Sequence, residues 1–179
     1  MKNEKVILRK TVREKLRLIS LDERKLRSEQ LFSQIEELPV FKDALHIFIF
    51  WSMADEIDTH WFIEKWAGRK NIYLPVVTGN DLELRLFETE ALMKRDSLFG
   101  IFEPQGVVLK NESSVTLALV PALAFDRHNA RLGRGKGFYD RVLPRLVNAY
   151  RIGIGFREQW VDVVPCEPHD IKMNRVILI

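Results

Sequence analysis

Residues 131 to 140 read Arg131-Leu132-Gly133-Arg134-Gly135-Lys136-Gly137-Phe138-Tyr139-Asp140, a stretch whose residue types and spacing suit anion chemistry. Glycine at every second position permits positive φ angles and lets the backbone approach a ligand closely. Arg134 and Lys136 stand between the glycines, and a helix is predicted to begin at Phe138. Backbone amides, a helix N-terminus and two fixed cations would together form a phosphate cradle. The common nucleotide fingerprints do not fit. Gly135-Lys136 is followed by Gly137 rather than Ser or Thr, and the upstream glycine of a Walker loop is missing. Phe138 stands where the third glycine of G-x-G-x-x-G belongs. By residue type alone the segment is either an anion-binding loop or a flexible basic surface loop.

Other chemistry-bearing residues are ambiguous in isolation. Lys5 and Arg9, at i and i+4, share one face of a helix, which without further context is a solvated cationic face. Asp140 reads as a helix first-turn acid and Asp170 as a turn residue. Trp51 sits at a strand end as a core aromatic would, and Glu56 reads as a helix-start acid. His46, His60, His128 and His169 are not spaced as a metal site, and none is assigned a catalytic role. The lone cysteine, Cys166, excludes an internal disulfide and any Cys-based zinc site.

Bulk composition narrows the class without naming a function. The 179 residues, 46% apolar and 30% charged, match a soluble globular chain with room for one domain and a cleft, so a single domain over residues 1–179 is expected. Lys and Arg number 28 against 25 acids, interspersed rather than blocked, which gives no clustered footprint for nucleic acid. A mildly basic cleft suits small anions equally well. The N-terminus mixes charged and apolar residues and is no signal peptide, and no run reaches the ~18 apolar residues of a membrane span. No nucleic-acid partner, no membrane and a cytoplasmic location are the expectations.

Elements must then position these residues. Leu8, Val12, Leu16 and Ile19 form a helical stripe over residues 3 to 19. Ser20 three residues before Glu23 is a capping-box signature for a second helix to about Glu37, with Leu26, Leu31, Phe32 and Ile35 as its apolar face. Ala44 to Trp51 reads as a buried strand, and residues 57–67 as a helix with Ile57, Trp61, Phe62 and Trp66 inward. Asn71 to Val77 and Leu82 to Phe87 read as strands around a turn at 78–81. Thr116 to Pro121 is an uncharged buried strand running into a long polar loop, residues 125–137. The following helix carries Pro144, which should kink or shorten it, and Tyr150 to Phe156 and Arg175 to Ile179 are further strands. Strand–helix alternation predicts an α/β fold: a three-layer α/β/α sandwich around a mostly parallel, mixed sheet, Rossmann-like but without the dinucleotide fingerprint. On such sheets ligands bind beyond the carboxyl ends of strands, where residues 51–59 and 125–140 both fall.

The stretch from Val120 to Arg141, VPALAFDRHNARLGRGKGFYDR, resembles the signature of the 5-formyltetrahydrofolate cyclo-ligase family, a Pro-x-x-Ala-Phe-Asp strand end leading to Arg-Leu-Gly-Arg-Gly-x-Gly-Tyr-Tyr-Asp. Lys5-Val6-Ile7-Leu8-Arg9 is similar to the family's entry helix. Trp51-Ser52-Met53 with Glu56-Ile57-Asp58-Thr59, then Leu74-Pro75-Val76, Gly100-Ile101-Phe102-Glu103-Pro104 and Pro168-His169-Asp170 follow in the family's order. Ala130, Phe138 and Asn174 depart from the pattern; Phe138 lacks a hydroxyl and keeps a stacking face.

The resemblance implies an ATP- and Mg2+-dependent closure of 5-formyltetrahydrofolate to 5,10-methenyltetrahydrofolate. It implies catalytic cations at Arg134 and Lys136, and ATP contacts from Lys5, Arg9, Arg131, Gly133, Gly135, Gly137, Phe138 and Tyr139 as well. Folate contacts would come from Trp51, Glu56, Phe138 and the same loop, and magnesium ligands from Asp140 and Asp170. The expected partner is a reduced folate, polyglutamylated or not, and the expected state is a monomer. Two other classes stay open on the residues themselves: a phosphosugar or CoA-ester enzyme using the loop for phosphate, and a non-catalytic nucleotide- or RNA-binding module.

Overall fold

In a computed structural model, residues 2–95, 102–167 and 170–179 are described. The elements are α1 (Lys2–Arg17), α2 (Leu21–Glu36), α3 (Pro39–Asp43), β1 (His46–Phe48), α4 (His60–Trp66), β2 (Asn71–Thr78), β3 (Asp81–Leu86), β4 (Lys94–Arg95) and β5 (Phe102–Glu103). They continue with β6 (Leu117–Val120), β7 (Ala124–Phe125), β8 (Arg131–Leu132), α5 (Phe138–Val142), β9 (Tyr150–Gly155) and β10 (Arg175–Leu178).

Six strands form one sheet in the order β10-β9-β6-β1-β2-β3. All neighbours are parallel except β3, which returns antiparallel beside β2 after a turn at Gly79, φ +61°. Successive side chains on a strand point to opposite faces, and here both faces are apolar. Ile47, Ile72, Leu74, Leu117, Leu119, Ile152 and Ile154 meet Val12, Leu16, Phe32, Ile35, Phe41 and Phe62 from α1 to α4 on one side. Phe48, Tyr73, Ala118 and Val120 meet Val142, Leu143 and Leu146 on the other. Burial on both faces is why β6 reads as an uninterrupted apolar run rather than an alternation.

The expected layers are therefore present, and the sheet is mixed but mostly parallel. The layers are unequal: four helices cover one face, while α5, only five residues long, shares the other with turns. Chain direction explains the split. The β1–α4–β2 crossover moves one way along the sheet and β6–α5–β9 moves the other. Crossovers of one hand then place α4 and α5 on opposite faces. Between β1 and β6 the order reverses, and a crevice opens at their carboxyl ends.

Several local expectations are refined. Ser20 caps α2 by accepting the Glu23 amide at 3.2 Å, as its spacing predicts. Leu26 is not on the apolar face; it is 56% exposed, and Arg24 and Ser28 are buried beside Leu31, Phe32 and Ile35 instead. Arg24 turns inward because its Nε donates to the Ile19 carbonyl and Nη2 to the Leu16 carbonyl, capping the end of α1. Strand β1 is shorter than Ala44 to Trp51, and Ile57 is buried ahead of α4 rather than in it. Residues 125–137 are not loop throughout: β8 lies within them and pairs antiparallel with β7, which ends at Phe125. Pro144 lies just past α5, which ends at Val142.

Candidate active site

A cavity of about 710 Å³ opens where the strand order reverses. The segments after β1 and β6 line it together with Lys5, Val6 and Arg9 of α1, and Pro75, Val77, Leu82 and Phe102 add apolar surface. Every residue singled out above for ATP, folate or metal lines this one cavity: Lys5, Arg9, Trp51, Glu56, Arg131, Gly133, Arg134, Gly135, Lys136, Gly137, Phe138, Tyr139, Asp140 and Asp170. Pro168 and His169 of the last motif, and Gly100 and Ile101 of the preceding one, lie outside the described residues.

The glycine loop is shaped by its backbone. Gly135 has φ +104° and Gly137 φ +70°, both in territory that favours glycine. A Cβ on Gly135 would stand 3.4 Å from the Arg9 guanidinium, so the loop passes directly beneath α1. Arg9 Nε donates to the Gly133 carbonyl at 2.9 Å and ties helix to loop. Gly137 stands just before α5, a single short turn. Lys136 is exposed, and its ammonium forms no ion pair among the described residues.

The remaining cations are held by carboxylates. Lys5, its side chain only 12% exposed, donates to Asp170 at 2.8 Å and to Glu167 at 3.1 Å. This is not a solvated face. Burial works against its charge, but the hydrogen bonds to Asp170 and Glu167 outweigh it and raise its pKa. Arg131, its side chain 3% exposed, donates through Nη2 to Asp140 at 2.5 Å, while its buried Nε has no partner among the described residues. Burial draws the Arg131 pKa down against the pull of Asp140. Asp140 also accepts the Ile171 amide at 3.3 Å, which brings it next to the chain carrying Asp170. Tyr139 is pushed far above its ordinary pKa by burial and stays a neutral phenol.

Arg134 does not reach into open space. Its Nε and Nη2 donate to Glu56 Oε1 at 3.2 and 2.9 Å, and Nη2 donates to Asp55 Oδ1 at 2.6 Å. Glu56 Oε2 accepts the Met53 amide at 2.9 Å. Burial raises the Glu56 pKa more than Arg134 and that amide lower it. Trp51 is 7% exposed and stacks on His60, ring centroids 3.9 Å apart and planes 13° from parallel, with Phe87 at 5.6 Å. Much of its ring surface is thus already engaged by protein. Phe138 is half-buried, with the Arg141 guanidinium 5.2 Å from its ring centre.

Sequence reasoning missed three contributors. Asp55 shares Arg134 with Glu56, and its only signal is its place one residue before Glu56. Glu167 joins Asp170 on Lys5. Asp126, 2% exposed, accepts the amides of His128, Ala130 and Val164 and pins the β7–β8 hairpin, helped by Asn129 at φ +58°. Asn174 is structural: its side chain accepts the Arg151 amide and holds the start of β10 against β9.

For magnesium, Asp140 and Asp170 would offer hard oxygen ligands beside Arg131 and Lys5. Both already accept protein hydrogen bonds, and no group of three or more potential metal ligands occurs among the described residues. Such a pair fits an ion that arrives on phosphates rather than one caged by protein alone. No helix of the described residues is long and apolar enough to cross a membrane.

Comparison with known proteins agrees with this geometry. The family model described as the 5-formyltetrahydrofolate cyclo-ligase family matches residues 1–179. The 5-formyltetrahydrofolate cyclo-ligase of Mus musculus is 31% identical over 95% of this chain and 91% of its own length. That of Escherichia coli K12 is 30% identical over 93% of this chain and 95% of its own. The solved 5,10-methenyltetrahydrofolate synthetase of Aquifex aeolicus superposes with a TM-score of 0.86 at 31% identity, covering 97% of this chain and 89% of that one. With the glycine loop, its carboxylate partners and the reversal-point cavity in one place, the chain belongs to the 5-formyltetrahydrofolate cyclo-ligase family.

Proposed function

We propose that the chain closes 5-formyltetrahydrofolate to 5,10-methenyltetrahydrofolate at the expense of ATP, releasing ADP and phosphate. The observation that carries this reading is a single cavity lined by the cationic glycine loop, by the Glu56 carboxylate paired with Arg134, and by the apolar side chains of Pro75, Val77, Leu82 and Phe102. A formyl oxygen is a poor leaving group. In the proposed reaction it attacks the γ-phosphorus of ATP, the bond to ADP breaks, and the oxygen becomes a phosphate ester. N10 then attacks the formyl carbon, loses its proton, and the C–O bond breaks to expel phosphate.

This chain's residues divide the work. The amides of residues 133–137 and Lys136 would surround the transferred phosphoryl group, and Arg134 would offset the charge it develops. Lys5, Arg9 and Arg131 would bind the remaining phosphates. Glu56 would accept the donor edge of the pterin and orient it, and Phe138 with the apolar walls would keep water from the phosphorylated intermediate. Asp140 and Asp170 would hold magnesium on the phosphates, where the ion supplies charge neutralisation.

The test is direct. Purified protein with 5-formyltetrahydrofolate, magnesium and ATP should build up the near-ultraviolet absorbance of the methenyl product, with one ADP formed per product. Folded protein that gives no signal, or a signal independent of ATP, refutes the proposal.

A further inference from the structure

Arg134 is asked to serve two ligands, and its bonding shows how one side chain could do so. The edge formed by Nε and Nη2 is committed to carboxylates, with Nη2 shared between Asp55 Oδ1 at 2.6 Å and Glu56 Oε1 at 2.9 Å. Nη1 donates to no described residue, on a side chain that lines the cavity. Glu56 Oε2 is already engaged by the Met53 amide, so a pterin bound to Glu56 would compete for the Oε1 that holds Arg134. If Glu56 were the sole anchor, folate binding would release the guanidinium at the moment phosphoryl transfer needs it.

We propose that Asp55 is a positioning residue: it retains Arg134 by Nη2 when Glu56 turns to the pterin, so that Nη1 stays aimed at the transferring phosphoryl group. The inference rests on the function proposed above. Asp55 itself is placed for this and not for pterin binding. It is absent from the cavity lining while Glu56 is in it, so it reaches the site through the guanidinium. A planar guanidinium is suited to the task because donors on one edge fix the direction of those on the other.

The experiment compares Asp55→Ala, Asp55→Asn, Arg134→Lys and the Asp55→Ala/Arg134→Lys double variant with the wild type, using methenyl absorbance and circular dichroism. In Asp55→Ala, kcat should fall about tenfold or more, the scale of losing a charged hydrogen bond in the transition state alone. The KM for 5-formyltetrahydrofolate should stay within about threefold, because Asp55 does not touch the folate and the phosphoryl contact it positions is made only in the transition state. Asp55→Asn, whose amide oxygen still accepts from Nη2, should retain more of kcat. Lysine has no Nη2, so Asp55→Ala should cost little further in the Arg134→Lys background.

An unchanged kcat in Asp55→Ala overturns the proposal, as does a loss confined to the folate KM or one of equal size in the Arg134→Lys background. Should Asp55→Ala fail to fold, Asp55→Asn decides, and wild-type kcat there also overturns it. An inactive wild type refutes the proposed function, whereas an active wild type with an indifferent Asp55 refutes only this inference.

Discussion

Glu56 shows how much a residue's role depends on what surrounds it. A carboxylate on an exposed helix start would ionise normally, but here burial raises its pKa despite Arg134 beside it. In the proposed reaction the pterin's donors would pair with the ionised form. As pH falls, protonation therefore sets in above the ordinary carboxylate range, and the folate KM should rise there while kcat changes less. A pH profile of kcat/KM checks this, and Glu56→Gln should flatten that acid limb on a much weaker baseline; a wild-type profile flat down to the ordinary range would contradict it. The sign for stability follows the same shift. The folded state holds the Glu56 proton to higher pH than the unfolded chain, so this contribution is present below the unfolded pKa and lost as pH rises through the folded one. The residue types were legible at this scale. Their pairings were not, because Arg134 and Glu56 stand 78 positions apart and meet only when β6 lies beside β1.

At the scale of elements, the glycine loop is not an isolated strap but one layer beneath α1, joined to it through Arg9 and Gly133. Gly135→Ala would place a side chain at φ +104°, costing roughly 1–3 kcal/mol of backbone strain, with its Cβ in ordinary contact with the Arg9 guanidinium. The loop can deform without disturbing the core, so the expected result is a loss of about tenfold or more in kcat/KM for ATP, with the thermal midpoint shifted by only a few degrees. Steady-state kinetics beside thermal unfolding separate the two, and unaltered ATP kinetics would remove the loop's cradle role. Helices α1 and α2 were readable because each has several turns of stripe and, for α2, a cap. The β7–β8 hairpin was not. Two-residue strands have no periodicity to detect, and their pairing depends on Asp126 reaching amides as distant as Val164.

For the whole molecule, the order β10-β9-β6-β1-β2-β3 gathers segments from both ends and the middle of the chain around one crevice. A ligand that spans α1, the loop and the segment near Asp170 should therefore tie the fold together. ATP with magnesium is expected to raise the thermal midpoint, by an amount equivalent to about 2.7 kcal/mol at a hundred times its Kd. Chelation should remove most of the gain, and Asp140→Asn/Asp170→Asn should lose the magnesium-dependent part while nucleotide alone still binds. Thermal unfolding with and without each ligand measures this, and no shift with either would count against the phosphate site. The α/β class, the main strands and helices and the family were legible in the chain alone, because apolar periodicity, caps and the motif of residues 120–141 are local properties. Folding was needed to reveal that Lys5 is enclosed by Asp170 and Glu167, that Trp51 is stacked on His60, and that Arg134 is shared by Asp55 and Glu56. Those contacts join residues remote in sequence, and what fixes them is strand order and burial, which no local window of residues contains.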